Sequence, residues 1–503
     1  MTDLSRRATL ATALAVPLAY AGRVRAQAPT TLDIGVVSDP VTLDPAFSAS
    51  FFETQVLYNL HETLLVARPD GTVVPGLASF TMPDPLTYVL TLREGLTFQD
   101  GTALDAAAVK ANIDRMMDPA TGSIRKPEFG PLASVTADSA RQVTLKLSQP
   151  YAPMPLVLTN RAGMMVSPTA VQRLGADFAT QAVGAGPWKL ASWTKNSQLV
   201  LEAFPGYWQG AKQPFARLVY HPLPDETVRL ANLRSGTLQL IDSVPPQAVA
   251  GLARESALRV SQMPGLGFNA FSFNCTRAPF ADVRVRQAFL AAVDPAVIQQ
   301  VVYFNTGRVA HGPLSPAVGW AYDPSATGIA HDPAHSKALL AQAGVADPLP
   351  VAITVTNSPQ LVRIAQVLQA QAGQAGFKVE VRQIDPTSLI TVLRQRDFDL
   401  CMSPWSGRYD PDGNMFNYFT QGGANNFAGW DSPEITALLT KARSISAEAD
   451  RAALYRQAQA MVMDQAPMLF VHFDAILQAS TAKLHWTEYP DAVFRLFDAS
   501  WTA

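Results

Sequence analysis

Apolar and polar positions along this chain repeat with two periods. Strand-length apolar or alternating runs stand at Leu32–Val37, Tyr88–Leu92, Val143–Leu147, Val351–Thr356, Phe377–Arg382, Phe398–Met402 and Met468–Phe473. Helical spacing predicts helices over Phe52–His61, Asp105–Met117, Thr227–Arg234, Val283–Val293, Gln360–Gln374, Thr387–Arg396, Pro433–Arg443 and Glu448–Asp464. In the second of these Asp105 stands as N-cap, and Val109, Ile113 and Met116 share one face. Ala185–Leu190 and Gln198–Ala203 read as a hairpin, and Val260–Cys275 as an extended crossing between two lobes, broken at Pro264-Gly265 and Gly267. From Val351 to Met402 the elements alternate strand and helix. That order requires parallel strands joined by right-handed crossovers, so the expected fold class is α/β.

The run Trp405–Asn414 leaves the last of those strands at its carboxyl end. Open α/β sheets place ligands there, on loops held by a rigid sheet. Gly407, Pro411 and Gly413 predict an irregular loop rather than a helix. Arg408 offers a planar fork of donors suited to a carboxylate, and Trp405 and Tyr409 supply flat apolar walls. Arg161 has the same chemistry inside an otherwise apolar passage, Thr159–Met165. Each arginine also reads as a salt-bridged surface group, and each aromatic as core.

Other motifs fail on their surroundings. Gly265–Ala270 matches G-x-G-x-x-A, but a strand-like run follows where a dinucleotide site needs a helix. Asp410–Asn414 has the spacing of a calcium loop, yet Gln421 stands where the bidentate Glu belongs and Pro411 blocks the turn. His331 and His335 are separated by Asp332-Pro333 and have no third ligand nearby. There is no G-x-S-x-G, H-E-x-x-H or Walker loop. No catalytic residue, metal site or cofactor is expected, and a secreted hydrolase stays open only through scattered residues.

The 503 residues have room for two or more lobes, and no charge block or low-complexity tract breaks them. Residues 1–28 read as a cleaved secretory signal. Ser5-Arg6-Arg7 precedes an apolar run, Ala8–Gly22, and Ala26-Gln27-Ala28 supplies the cleavage pattern. The paired arginines point to the twin-arginine route. Cleavage would remove Arg6, Arg7, Arg23, Arg25 and Asp3, moving the formal charge from −2 to −5. A mildly acidic product is a poor binder of nucleic acid or anionic membrane. Cys275 and Cys401 lie in strand-like apolar runs and read as two free thiols.

Taken in order, several segments resemble the family 5 extracellular solute-binding proteins of ABC importers. They are Leu43-Asp44-Pro45, Val56–Leu64, Leu90–Phe98 with Asp100-Gly101, Gly184–Trp188, Phe280–Ala288 and the Trp405 loop. The resemblance implies a two-lobed periplasmic binding protein fold (type II, cluster C). Lobe one would span 29–262 with an extra subdomain at about 60–180. Lobe two would span 263–478, and 479–503 would return to lobe one. It implies a soluble, monomeric periplasmic protein that performs no chemistry. Such a protein closes on a small-molecule or peptide ligand and delivers it to an inner-membrane ABC permease with its ATPase subunits. Dipeptide binders of this family carry an Asp three residues after the Trp, facing the ligand's amine. Arg408 stands at that place, which implies an anionic ligand, with Asp410 or Asp412 left to take an amine. The loop also resembles that of nickel binders, whose matching passage places an arginine near Arg161 against an anionic chelate. The expected pocket holds Arg161, Trp405, Arg408, Tyr409 and Asp410, with Ser38 and Phe51 at its edge. A peptide of acidic character, an opine-like conjugate and a metal chelate all remain open as ligands.

Overall fold

The computed structural model describes residues 31–502, so the expected leader at 1–28 lies outside the described residues. Two sheets organise the chain. The first has seven strands, ordered Trp188–Thr194, Gln198–Ala203, Arg217–Pro222, Thr31–Val36, Leu240–Ile241, Ala475–Thr481 and Leu258–Pro264. Thr31–Val36 pairs in parallel on both sides and buries Leu32, Ile34 and Val36. The second sheet has six strands, ordered Arg308–Val309, Met468–Phe473, Asn269–Phe273, Leu400–Met402, Leu349–Thr356 and Phe377–Ile384.

The β-α-β-α-β series forms as the sequence predicts. Leu349–Thr356 lies parallel to both Phe377–Ile384 and Leu400–Met402. As a central strand it is buried at every position but Pro350, whereas Phe377–Ile384 at the edge alternates at its start. The intervening helix, Pro359–Gln374, buries Ile364, Ala365, Leu368 and Ala372 along one stripe. Met468–Phe473 serves both faces of the sheet: Leu469 and Val471 enter one core cluster, Met468 and Phe470 the other.

A four-stranded antiparallel sheet, Ala78–Asp84, Thr87–Leu92, Gln142–Leu147 and Leu132–Ala137, forms a smaller unit. Its core includes Tyr88, Leu90, Val109, Ile113, Phe129 and Val143. The helix Ala106–Met117 covers it, and the Asp105 side chain caps that helix by accepting from the Ala108 amide.

The chain passes between the large sheets twice, from Pro264 to Asn269 and from Phe473 to Ala475. The return strand starts at Ala475, ahead of residue 479, because all of Ala475–Thr481 pairs with Leu258–Pro264. The crossings are tied together: the Gly265 amide donates to the Asp474 carbonyl at 2.8 Å, and Asn269 Nδ2 donates to the Asp474 carboxylate at 2.8 and 2.9 Å.

The last segment is fastened to the helix Phe51–Leu60 by buried amides. Gln55 bonds Ala492 and Phe494, and Asn59 bonds Phe494 and Leu496. Cys275 and Cys401 are both free thiols, and burial pushes them up to about 11 and about 12. Among the described residues no helix is long and apolar enough to cross a membrane.

Candidate ligand-binding site

Between the two large-sheet bodies lies a cavity of about 490 Å³. That size suits a small molecule or short peptide. One wall comes from the helix Phe51–Leu60 (Phe51, Thr54, Tyr58), from Pro127–Gly130 and from Tyr151–Arg161. The other comes from Leu266, the Trp405 loop and Arg443, and the C-terminal segment adds Asp491 and Val493. The bodies touch beside it: the Ala152 amide donates to the Arg443 carbonyl at 2.8 Å, and the Arg443 guanidinium lies 5.0 Å from the Tyr151 ring centre.

The Trp405 loop is held from both ends. Trp405 exchanges two backbone hydrogen bonds with Phe268, each 2.9 Å. Asn414 clamps its far side, accepting from Trp405 Nε1 at 2.8 Å and the Arg408 amide at 2.7 Å while donating to the Arg408 carbonyl at 2.8 Å. The irregular loop expected over the whole run ends early, because a helix, Asp412–Phe419, begins inside it. Pro411 stands just ahead of that helix, where its missing N–H costs nothing.

The loop also presses on the Gly265–Phe268 crossing. Gly407 has φ +80°, and a Cβ there would sit 2.2 Å from the Leu266 carbonyl carbon. Gly407→Ala is therefore expected to reduce stability and ligand affinity together, by about 1–3 kcal/mol or more in stability. Thermal melts and titration of the same protein check this, and an unchanged melting temperature would contradict it.

Six of the seven expected site residues, Arg161, Trp405, Arg408, Tyr409, Asp410 and Phe51, line the cavity, and Ser38 does not. Its hydroxyl donates to the Asp39 carbonyl, and the Asp39 carboxylate is pinned to the hairpin by Trp193 Nε1 and the Asn196 amide. The segment is thereby held away from the cavity.

Charge compensation divides the cavity. Asp410 and Arg451 form a buried pair at 2.7 Å, with side chains 6% and 5% exposed. Asp412 is gripped by two nitrogens of Arg443, at 3.0 and 2.8 Å. Burial still pushes the Asp412 carboxyl up to about 6 against the pull of that arginine. Asp491 is matched by Arg495, whose guanidinium is stacked 4.2 Å from the Tyr58 ring centre. Both aspartates expected to take a ligand amine are therefore already paired with an arginine.

Of the three arginines lining the cavity, two have no ion-pair partner among the described residues. Arg161, 6% exposed, donates to the Ser50 carbonyl at 3.0 Å, and its buried Nε has no partner. Arg408 lies 4.5 Å from the Trp405 ring centre and donates to the Gly407 carbonyl at 2.7 Å and weakly to Ser406 Oγ at 3.3 Å. Burial lowers the Arg408 guanidinium below its ordinary range; Glu128 opposes that shift and the Arg161 charge adds to it. The Tyr409 hydroxyl is a further buried donor without a partner. Arginine keeps its charge in proteins, so this cavity wall carries positive charge that no ion pair meets.

Sequence reasoning missed Glu128, Tyr58, Tyr151, Arg443 and Asp491. Arg443 reads in sequence as an ordinary cation in a helix's last turn. Glu128, between Pro127 and Phe129-Gly130, offered only the weak signal of a charge in a turn-rich stretch.

A family model described as "Bacterial extracellular solute-binding proteins, family 5 Middle" matches residues 72–427. The chain is 26% identical over 505 residues to the glutathione-binding protein GsiB of Shigella flexneri serotype 5b (strain 8401), covering 97% of each. Its fold is similar to that of the ABC transporter-associated periplasmic binding protein DppA of Helicobacter pylori, in complex with the peptide STSA. The TM-score is 0.84 at 22% identity, over 94% of this chain and 98% of that one. It is likewise similar to AgaA of A. tumefaciens R10 in complex with agropinic acid, with a TM-score of 0.81 at 24% identity over 94% and 99% of the two chains. With the model matching well over half of its length, this chain belongs to the bacterial extracellular solute-binding proteins, family 5.

Proposed function

We propose that this protein captures an anionic peptide or peptide-like ligand in the periplasm and delivers it to an inner-membrane ABC permease with its ATPase subunits. It acts as a monomer without chemistry of its own, after export by the twin-arginine route. The proposed lobes are 29–262, with an extra unit at about 60–180, and 263–478, with 479–503 returning to lobe one; the pairing of all of Ala475–Thr481 with Leu258–Pro264 favours a return already at Ala475. The observation that carries the reading is the pair of uncompensated guanidiniums, Arg161 and Arg408, facing one cavity from the two bodies. Closure brings two like charges together, and an anion between them turns that repulsion into attraction. A ligand shifts the lobes toward closure only by binding the closed state better, and this arrangement supplies that preference.

An opine-like conjugate or an anionic metal chelate would use the same two arginines. Among the described residues no group of three or more His, Cys, Asp or Glu is placed to hold a bare metal ion, so a metal would arrive already chelated.

Native mass spectrometry of protein purified from periplasm without denaturation tests the reading. The expected result is a discrete added mass that fragments to an acidic peptide, conjugate or chelate. Thermal-shift titration should then rank acidic ligands above neutral dipeptides, and the reverse order would overturn the anionic assignment.

A further inference from the structure

Four carboxylates line the cavity: Glu128, Asp410, Asp412 and Asp491. Three are committed. Asp412 and Asp491 each give both oxygens to an arginine; Asp410 gives only Oδ1, to Arg451 and the Asp412 amide, but its charge is met by a buried arginine and its side chain is just 6% exposed. Glu128 differs. Arg125 holds one oxygen, Oε1, at 2.6 Å, while Oε2 makes no hydrogen bond and the side chain is 26% exposed. Glu128 reaches the cavity from lobe one, between Pro127 and the 3₁₀ turn's end at Gly130.

The charges around it do not cancel. Arg125, Arg161 and Arg408 act on one another, opposed by Glu128 and by the buried Glu53 behind Arg125. That leaves an excess of one positive charge. A ligand with two carboxylates and one ammonium cancels it, provided the ammonium has its own acceptor beside the guanidiniums.

We propose that Glu128 is an ammonium subsite, receiving a protonated ligand amine through Oε2 while Arg161 and Arg408 hold the ligand's acidic groups. The ligand class is an amino-acid or peptide conjugate with one free amine and two acidic groups. This rests on the anionic reading of the same cavity. A carboxylate oxygen bonded once by Arg125 keeps lone pairs for a second cation. The amine acceptor thus lies in lobe one, and Arg408 occupies the place in lobe two where the resemblance led one to look for it.

The test is calorimetric titration of the mature protein with X-Glu dipeptides and glutathione, each free and N-acetylated. Free forms are expected to bind about tenfold or more tightly than acetylated ones. Glu128→Gln, which keeps an acceptor for Arg125, should weaken the free forms by about tenfold while the acetylated forms, which lack the ammonium, bind at least as tightly as before. Equal affinity of wild-type protein for free and acetylated forms overturns the subsite and leaves the anionic reading standing, and needs no variant. A Glu128→Gln loss shared equally by both forms also overturns it, assigning Glu128 to scaffolding. Failure of every acidic member, free and acetylated, overturns the anionic reading and the subsite with it.

Discussion

Arg408→Ala is expected to weaken binding of an acidic ligand by about a hundredfold while leaving the melting temperature of the ligand-free protein nearly unchanged. Within the protein the guanidinium bonds only the Gly407 carbonyl and, weakly, Ser406 Oγ, and it stacks on Trp405. No carboxylate is orphaned when it goes. Its removal also relieves the repulsion with Arg161, which offsets the lost stacking. Against a ligand carboxylate the same group forms a charge-assisted, forked contact in a partly desolvated site, where truncation costs about 2–5 kcal/mol. Titration and differential scanning calorimetry on the same preparation separate the outcomes. A melting temperature several degrees lower, with affinity intact, would make Arg408 a structural residue.

Asp410→Ala is expected to give the opposite pattern, a loss of about 3–5 kcal/mol in unfolding free energy, because it strands a buried charge. Arg451 is 4% exposed and lies 5.2 Å from the Trp320 ring centre. Its guanidinium is held well above the ordinary arginine range, with Asp410 the largest charge favouring its protonated form against the penalty of burial. Without Asp410 only the Ala442 carbonyl and the Tyr455 hydroxyl remain to it. Replacing both partners, Asp410→Ala with Arg451→Met, should recover most of the loss, since an apolar pair needs no counter-charge. Urea unfolding of the single and double variants measures this. A single variant with full stability and no ligand binding would instead make Asp410 the ligand contact that the sequence led one to expect.

The two variants mark where sequence reading succeeds and where it stops. Arg408's place in the cavity lining was legible because its neighbours in sequence are its neighbours in space: Trp405, Gly407 and Tyr409 share one loop on one strand end. Asp410 belongs to the same loop, yet its ion pair was not legible there, because Arg451 lies 41 residues away. Ser38 lies outside the cavity lining for a reason equally distant in sequence, since its segment is pinned by Trp193, a partner 154 residues from Asp39. Glu128 was invisible because its value lies in an unused oxygen on a partly exposed side chain, and hydrogen bonds across folded elements leave no mark on local pattern.

The sequence by itself determined the elements and their order. Periods of two and 3.6 are local properties, so they survive as strands and helices whatever surrounds them. An alternating series with short connections admits few topologies, which placed parallel strands in the second sheet and the Trp405 loop at a strand end. The tertiary structure alone decided which charges are cancelled. Eight arginines and carboxylates around one cavity were chemically alike in the sequence: Arg161, Arg408, Arg443, Arg451, Glu128, Asp410, Asp412 and Asp491. Packing paired some of them and left Arg161 and Arg408 without partners. Coulomb energy depends on separation and burial in the folded molecule, and neither is encoded in spacing along the chain.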